Sequence, residues 1–123
     1  MIMRILAIGL AVLATSPVAL AGEADVVKVA IMSFAKDGTW TFDVTVRHDD
    51  TGWDHYADKW EVVGPDGQVL ATRVLLHPHE NEQPFTRSLD GVVIPPGVNV
   101  VTVRAHDKLH GYGGTEVMIS IPR

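Results

Sequence analysis

Short runs of alternating apolar and polar residues, separated by turns rich in glycine and proline, constrain the fold of this chain most strongly. Between residues 39 and 47, the apolar side chains Trp40, Phe42, Val44 and Val46 occupy every second position. Successive side chains of a β-strand point to opposite faces, so this spacing predicts a strand with one buried face. No window longer than about ten residues after residue 21 has a convincing helical period. We therefore predict an all-β protein.

Seven such runs follow residue 21, and each reads as one strand. The predicted strands are 26–34, 39–47, 58–63, 68–76, 84–94, 98–106 and 115–121. Tight turns at 36–38, 64–67 and 95–97 follow the first, third and fifth strands. Seven short strands in about a hundred residues fit a two-sheet antiparallel sandwich.

The segment 94–121 narrows this prediction through three short motifs. These are Ile94-Pro95-Pro96-Gly97, then Val101-x-Val103-x-Ala105, then Gly111-Tyr112-Gly113-Gly114. Together they resemble the last strand pair of immunoglobulin and fibronectin type III domains, over about a quarter of the chain. The absence of a cysteine pair around Trp60 excludes a true antibody-type domain. The chain as a whole resembles small exported bacterial proteins of unassigned function, and that likeness implies no functional residues.

Residues 1–21 have the pattern of a secretory signal peptide. Arg4 supplies the positive start, an apolar run follows it, and Ala19-Leu20-Ala21 is a small-x-small cleavage site. We expect cleavage before Gly22, a single sandwich domain over 22–123, and a periplasmic or secreted protein. The apolar run is too short for a membrane-spanning helix, and no cysteine lies beside the cleavage site, so we expect no stable membrane anchor.

Charge and cysteine content exclude several classes of function. Loss of Arg4 would change the formal net charge from −5 to −6, which leaves no basic patch for nucleic acid. The chain has no cysteine, so disulfides, thiolate metal sites and cysteine nucleophiles are all excluded. Ser33, Ser88 and Ser120 lie on predicted strands without the glycines of a nucleophile elbow. We therefore expect a binding protein and not an enzyme, although a catalytic metal site stays open.

The six histidines are distributed unevenly among the connections between strands. If each strand is antiparallel to its predecessor, successive connections lie alternately at the two ends of the sandwich. The long second, fourth and sixth connections (48–57, 77–83 and 107–114) then share one end, and they contain five of the six histidines, with His106 just before the last. The tight turns at the other end contain none. This geometry predicts one surface rich in histidine and carboxylate.

Imidazole and carboxylate together are ligands for Zn²⁺, Cu²⁺ or Ni²⁺ where thiolate is lacking. His77-Pro78-His79 is the most suggestive element, because residues two apart on an extended chain point to the same side. The candidate metal ligands are His77, His79, His106, His110, His48, His55 and Asp107. Asp107 has a second interpretation, as an acceptor that fixes the tautomer of an imidazole. The alternative to metal binding is that Pro78 shapes its loop and the histidines bond to backbone carbonyls.

The same connections also permit recognition of a sugar or a peptide. Trp53, Tyr56 and Tyr112, with the carboxylate of Asp54, are the candidates for such a surface. The competing interpretation is that the loop aromatic residues cover the end of the core, whereas Trp60 is predicted to lie in the core. The partner of such a surface would be a glycan or an envelope protein. A third possibility is that this domain is purely structural within a larger envelope complex. The acids of residues 49–58 lack a calcium-loop spacing and are expected to be solvated.

Overall fold

The structure, a computed structural model, describes residues 22–34 and 36–123. These residues form seven strands and no helix, so no helix in the described part could cross a membrane. The strands are β1 (Asp25–Phe34), β2 (Thr39–Arg47), β3 (Ala57–Val63), β4 (Val69–Val74), β5 (Phe85–Val92), β6 (Val100–Asp107) and β7 (Val117–Ser120). The all-β prediction is confirmed. The proposed signal peptide and its cleavage site lie outside the described residues.

Two antiparallel sheets divide the strands between them. One sheet has the order β1-β2-β5, and the other has the order β4-β3-β6-β7. Every pair of neighbouring strands is antiparallel. Since β2 and β3 belong to different sheets, as do β4 and β5, two of the long connections cross from one sheet to the other.

A single apolar cluster between the sheets forms the core. The predicted inward face of β2 is buried as expected, and Phe42, Val44 and Val46 are fully enclosed. Trp60 of β3 and Val103 of β6 face them from the other sheet and are equally buried. Burial of side chains of this size contributes about 1.5–3 kcal/mol each, so the two sheets form a firm support for the loops at their ends.

Candidate metal centre

The three long connections meet at one end of the sandwich, as the alternation of connections predicts. The amide of His79 donates a hydrogen bond of 2.7 Å to Oδ2 of Asp50, which joins the fourth connection to the second. The amide of Lys108 donates to the carbonyl of Tyr56 at 3.1 Å, which joins the sixth connection to the second. Residues distant in sequence therefore form one continuous surface.

Two imidazoles and one carboxylate lie at the centre of this end. Nε2 of His48 lies 3.1 Å from Oδ2 of Asp107, and Nε2 of His55 lies 2.7 Å from the same oxygen. The two Nε2 atoms are 3.1 Å apart. The side chains of His48 and Asp107 are fully buried, whereas that of His55 is 20% exposed. We call these three residues the central cluster; their ligand atoms all lie within 4.8 Å of one another.

Local structure brings each member of the central cluster into place. His48 directly follows β2, and Asp107 is the last residue of β6, so both are held by the ends of strands. His55 lies on a tight loop that is closed by bonds from Thr51 N to the His55 carbonyl (3.0 Å) and from His55 N to the Gly52 carbonyl (3.2 Å). Gly52 has a φ of 135° in this loop, a conformation that a residue with a side chain rarely adopts.

Asp50 orients the ring of His48. Its Oδ1 lies 2.6 Å from Nδ1 of His48 and accepts a second bond from the amide of Ala57 at 3.0 Å. With Oδ2 held by the His79 amide, the carboxylate is fixed on both oxygens and is an acceptor only. His48 must then donate through Nδ1, so in its neutral form Nε2 carries the lone pair and points into the central cluster. Metal-binding histidines commonly have this carboxylate partner.

Two further groups border the central cluster. The carbonyl oxygen of Gly22 lies 3.1 Å from Nε2 of His48 and 3.1 Å from Nε2 of His55. Nδ1 of His110 lies 3.0 Å from Oδ2 of Asp107, and the His110 amide donates to Oδ1 of Asp107 at 2.9 Å. The His110 side chain is 38% exposed and lies on the solvent side of the site.

The charged state of Asp107 depends on these neighbours. Burial alone would raise the pKa of Asp107, but hydrogen bonds from His110 and His55 and the charge of His48 lower it overall. In turn, the hydrogen bond to Asp107 raises the pKa of His110, against a smaller opposing effect of burial. The geometry thus keeps an ionised carboxylate in a position without solvent contact.

The spacing of the donor atoms fits a small cation. Four ligands in a tetrahedron at about 2.0–2.1 Å from an ion lie about 3.3 Å from one another. The Nε2 atoms of His48 and His55 lie 3.1 Å apart, and each lies 2.7–3.1 Å from Oδ2 of Asp107 and from the Gly22 carbonyl oxygen. A widening of a few tenths of an ångström would therefore admit an ion.

The predicted pair His77 and His79 lies apart from the central cluster. Their rings are adjacent, with centroids 4.7 Å apart, but His77 is exposed and its Nδ1 lies 3.1 Å from the carbonyl of Pro78. His79 is buried and stacks on Phe85. Its Nε2 accepts a bond of 2.9 Å from Nη2 of Arg87, and burial, followed by the charge of Arg87, lowers the pKa of His79. Arg87 therefore favours the neutral form of His79.

His106 also has a separate partner. Its Nδ1 lies 2.6 Å from Oδ1 of Asp58, and its ring packs edge-on against Tyr112 with centroids 4.8 Å apart. The guanidinium of Arg104 lies over the ring of Tyr112, with its Cζ 4.1 Å from the ring centroid. The structure therefore unites His48, His55, His110 and Asp107 of the predicted ligand set, and it places His77, His79 and His106 in two flanking groups.

The recognition candidates occupy two different places. Trp53 is 64% exposed and packs edge-on against Tyr56, which is buried. Asp54 is exposed beside them, whereas Tyr112 packs with His106. Trp53 therefore does not cover the core, while Tyr56 does.

Sequence reasoning missed two contributors to the site. Asp50 was grouped with the solvated loop acids, yet it orients His48; the His48-x-Asp50 spacing in an extended segment is the signal that could have revealed the pair. The carbonyl of Gly22 has no such signal, because a backbone ligand leaves no mark on residue type. Of the other loop acids, Asp58 pairs with His106, while Asp49 and Asp54 are exposed.

Comparison with known proteins identifies a relative that is similar over most of this chain. The chain is 45% identical over 97 residues to a protein of Halomicrobium mukohataei named "Putative lipoprotein". The aligned region is 79% of this chain and 47% of that protein, so the chain spans about half the length of this relative. No family model matches the chain. No solved structure matches it either.

Proposed function

We propose that this protein is an exported, non-catalytic binding domain that holds one divalent transition-metal ion, Zn²⁺, Cu²⁺ or Ni²⁺, in the central cluster. The observation that carries the proposal is the convergence of lone pairs. When His48 is neutral and donates through Nδ1 to Asp50, the lone pair of its Nε2 faces Oδ2 of Asp107 and the carbonyl of Gly22, which are both acceptors. Acceptors at 3.1 Å repel one another unless a proton or a cation lies between them.

Charge balance supports a divalent ion over a proton. The side chains of Asp50 and Asp107 are both fully buried, and a buried carboxylate is costly without a compensating charge. Among the described residues, the ionisable side chains within 4 Å of their oxygens are histidines, which are charged only when protonated. One divalent cation would neutralise both carboxylates and leave the imidazoles neutral.

The donor set supports the choice of metal. Two imidazole nitrogens with carboxylate and carbonyl oxygens suit Zn²⁺, Cu²⁺ and Ni²⁺. Two histidines and one carboxylate also bind Fe²⁺ in some oxygenases, so Fe²⁺ belongs in the test as the ion that would favour an enzyme instead. The enclosed positions of His48 and Asp107 favour a binding role, because little of the site is open to a substrate.

The strand arrangement supports an immunoglobulin or fibronectin type III type of sandwich. Strands β1, β2 and β5 share one sheet, and β3, β6 and β7 share the other, as the equivalent strands of immunoglobulin domains do. The fourth strand extends the sheet of β3, which matches the placement of added strands in variable-type domains.

Export is supported by the pattern of residues 1–21 and by the name of the Halomicrobium mukohataei relative. A lipoprotein would be located at a membrane surface, which also requires export. This chain has no cysteine, so we propose that it is released to the periplasm or the medium.

The test is metal binding by residues 22–123, which include all seven strands. Titration with Zn²⁺, Cu²⁺, Ni²⁺ and Fe²⁺ should show one tight site for one or more of the first three. His48→Ala and His55→Ala should each weaken that site at least tenfold, whereas the matched control His77→Ala should not. Binding of none of the first three ions, or equal losses in all three variants, would contradict the proposal.

A second candidate function is recognition of a sugar or peptide at Trp53. The specific observation is its exposure of 64%, next to the exposed carboxylate of Asp54. Aromatic faces bind the apolar surface of a sugar ring while carboxylates accept its hydrogen bonds. A screen of glycans and peptides by tryptophan fluorescence should show a change that is lost in Trp53→Ala and is independent of metal. No response from any ligand would remove this candidate.

A further inference from the structure

Gly22 contributes backbone atoms to the proposed site although it has no side chain. Its carbonyl oxygen lies 3.1 Å from Nε2 of both His48 and His55, and its Cα packs against the ring of His110. It is therefore in contact with three imidazoles at once. It is also the residue that the predicted cleavage after Ala21 would make the first of the exported protein.

The path of the chain at Gly22 leaves no room for a side chain. A Cβ atom at residue 22 would lie 2.4 Å from Cε1 of His110, a distance that real contacts do not reach. The next residues are anchored just before β7, where Thr115 N donates to Oδ1 of Asp25 at 2.7 Å and Val26 N donates to the Thr115 carbonyl at 2.9 Å. The backbone at residue 114 lies so close to the Ala24 carbonyl that a Cβ atom there would collide with it, and glycine at 114 avoids this collision. Gly22 therefore packs against the His110 ring, and the residues that follow it are tied to the segment before β7.

We propose that removal of residues 1–21 completes the metal site by turning Gly22 into a chelating amino-terminal ligand. Hydrolysis of the Ala21–Gly22 bond by the protease that removes the signal adds water across it. Ala21 gains the hydroxyl as its carboxyl group, and Gly22 gains a hydrogen on its nitrogen. This inference rests on the proposed metal-binding function and deepens it.

The chemistry of the Gly22 nitrogen changes with that hydrolysis. In the uncleaved chain it belongs to an amide, whose lone pair is delocalised into the carbonyl, so it is a poor ligand. In the cleaved chain it is an amine, and with its own carbonyl oxygen it closes a five-membered ring around an ion. Full affinity would therefore arise only after cleavage, and the precursor would bind metal more weakly than the exported protein.

The experiment compares three forms of the mature domain that differ only at the amino terminus. The first begins at Gly22, the second begins at Ala21 and so adds one natural residue, and the third begins at Gly22 with an acetylated amine. Equal thermal unfolding of the three metal-free forms establishes that the fold is the same. Affinity for Cu²⁺ is then measured by competition with a chelator, and the number of nitrogen ligands is measured by electron paramagnetic resonance.

The form that begins at Gly22 should bind Cu²⁺ tighter than the other two by on the order of tenfold or more, since loss of a mere supporting partner already costs about that much. Its spectrum should contain one nitrogen coupling that both blocked forms lack. Equal affinities with identical spectra would overturn this inference and leave the proposed metal site intact. Failure of all three forms to bind Cu²⁺, Zn²⁺ or Ni²⁺ would overturn both.

Discussion

Replacement of Asp50 by asparagine tests whether the hydrogen bonds of this carboxylate orient His48. The substitution also removes one negative charge, which a control variant must match. The carboxylate accepts three bonds: from Nδ1 of His48 (2.6 Å) and the Ala57 amide (3.0 Å) on Oδ1, and from the His79 amide (2.7 Å) on Oδ2. Asparagine has one acceptor oxygen and one donor amide group. In one orientation the NH₂ group of the asparagine faces the backbone amide of His79, so two donors meet. In the other orientation the NH₂ group faces both Nδ1 of His48 and the amide of Ala57, which also donate.

The magnitude of the effect follows from these two orientations. In the first, one buried amide of the backbone loses its acceptor, which costs about 1–3 kcal/mol in the free energy of unfolding of the metal-free protein. In the second, His48 must accept at Nδ1 and carry its proton on Nε2, the atom that would bind the metal. Loss of such a partner typically lowers metal affinity about 10–100-fold, or about 1.4–2.7 kcal/mol.

Two measurements on Asp50→Asn and on a matched control test this reasoning. Denaturant unfolding gives the stability of the metal-free protein, and chelator competition gives the affinity for Zn²⁺ or Cu²⁺. The control is Asp49→Asn, which removes the same charge from the adjacent, exposed position and should change neither quantity appreciably. An unchanged metal affinity in Asp50→Asn, or an equal loss in Asp49→Asn, would refute the orienting role.

Three further predictions concern the pH response, Gly22 and the core. The lowered pKa of Asp107 stabilises the metal-free fold above the ordinary aspartate value of 3.8, and the raised pKa of His110 stabilises it below the ordinary histidine value of 6.5. The free energy of unfolding should therefore fall as the pH drops through the folded pKa of Asp107, and also as the pH rises through the folded pKa of His110. In Asp107→Asn, unfolding curves recorded across the pH range should show neither decrease. Gly22→Ala should displace the ring of His110 from Asp107 and return its pKa, measured by NMR titration, toward 6.5; an unaltered pKa would contradict the close contact. Trp60 is fully buried, and its Nε1 has no hydrogen-bond partner among the described residues. Trp60→Phe should therefore cost less than about 2 kcal/mol in unfolding experiments, against about 3–5 kcal/mol for Trp60→Ala, because it also removes an unpaired donor.

Strand positions were predictable because burial follows the period of the backbone. The limits of β2 are those predicted, since its alternation is unbroken from Thr39 to Arg47. The predicted fourth and fifth strands are longer than β4 and β5. Gly91, with a φ of 70°, lies near the end of β5, and the ladder with β2 shifts register there, a feature that apolar spacing does not encode.

The end of the molecule that bears the site was predictable, but the membership of the site was not. Alternating connections depend only on antiparallel order, which the sequence pattern indicates. Which histidines converge depends on loop conformation, such as the turn at Gly52 that returns His55 to the strand ends. His79 meets Arg87 because its loop leads into β5, which carries Arg87. His106 meets Asp58 because β6 pairs with β3.

Anomalous diffraction from crystals of residues 22–123 loaded with Zn²⁺, recorded at the metal's absorption edge, would locate the ion directly. We expect one strong peak per chain, about 2.0–2.2 Å from Nε2 of His48, Nε2 of His55 and Oδ2 of Asp107. A peak at His77 and His79 instead, or no ordered metal at a saturating concentration, would contradict this expectation.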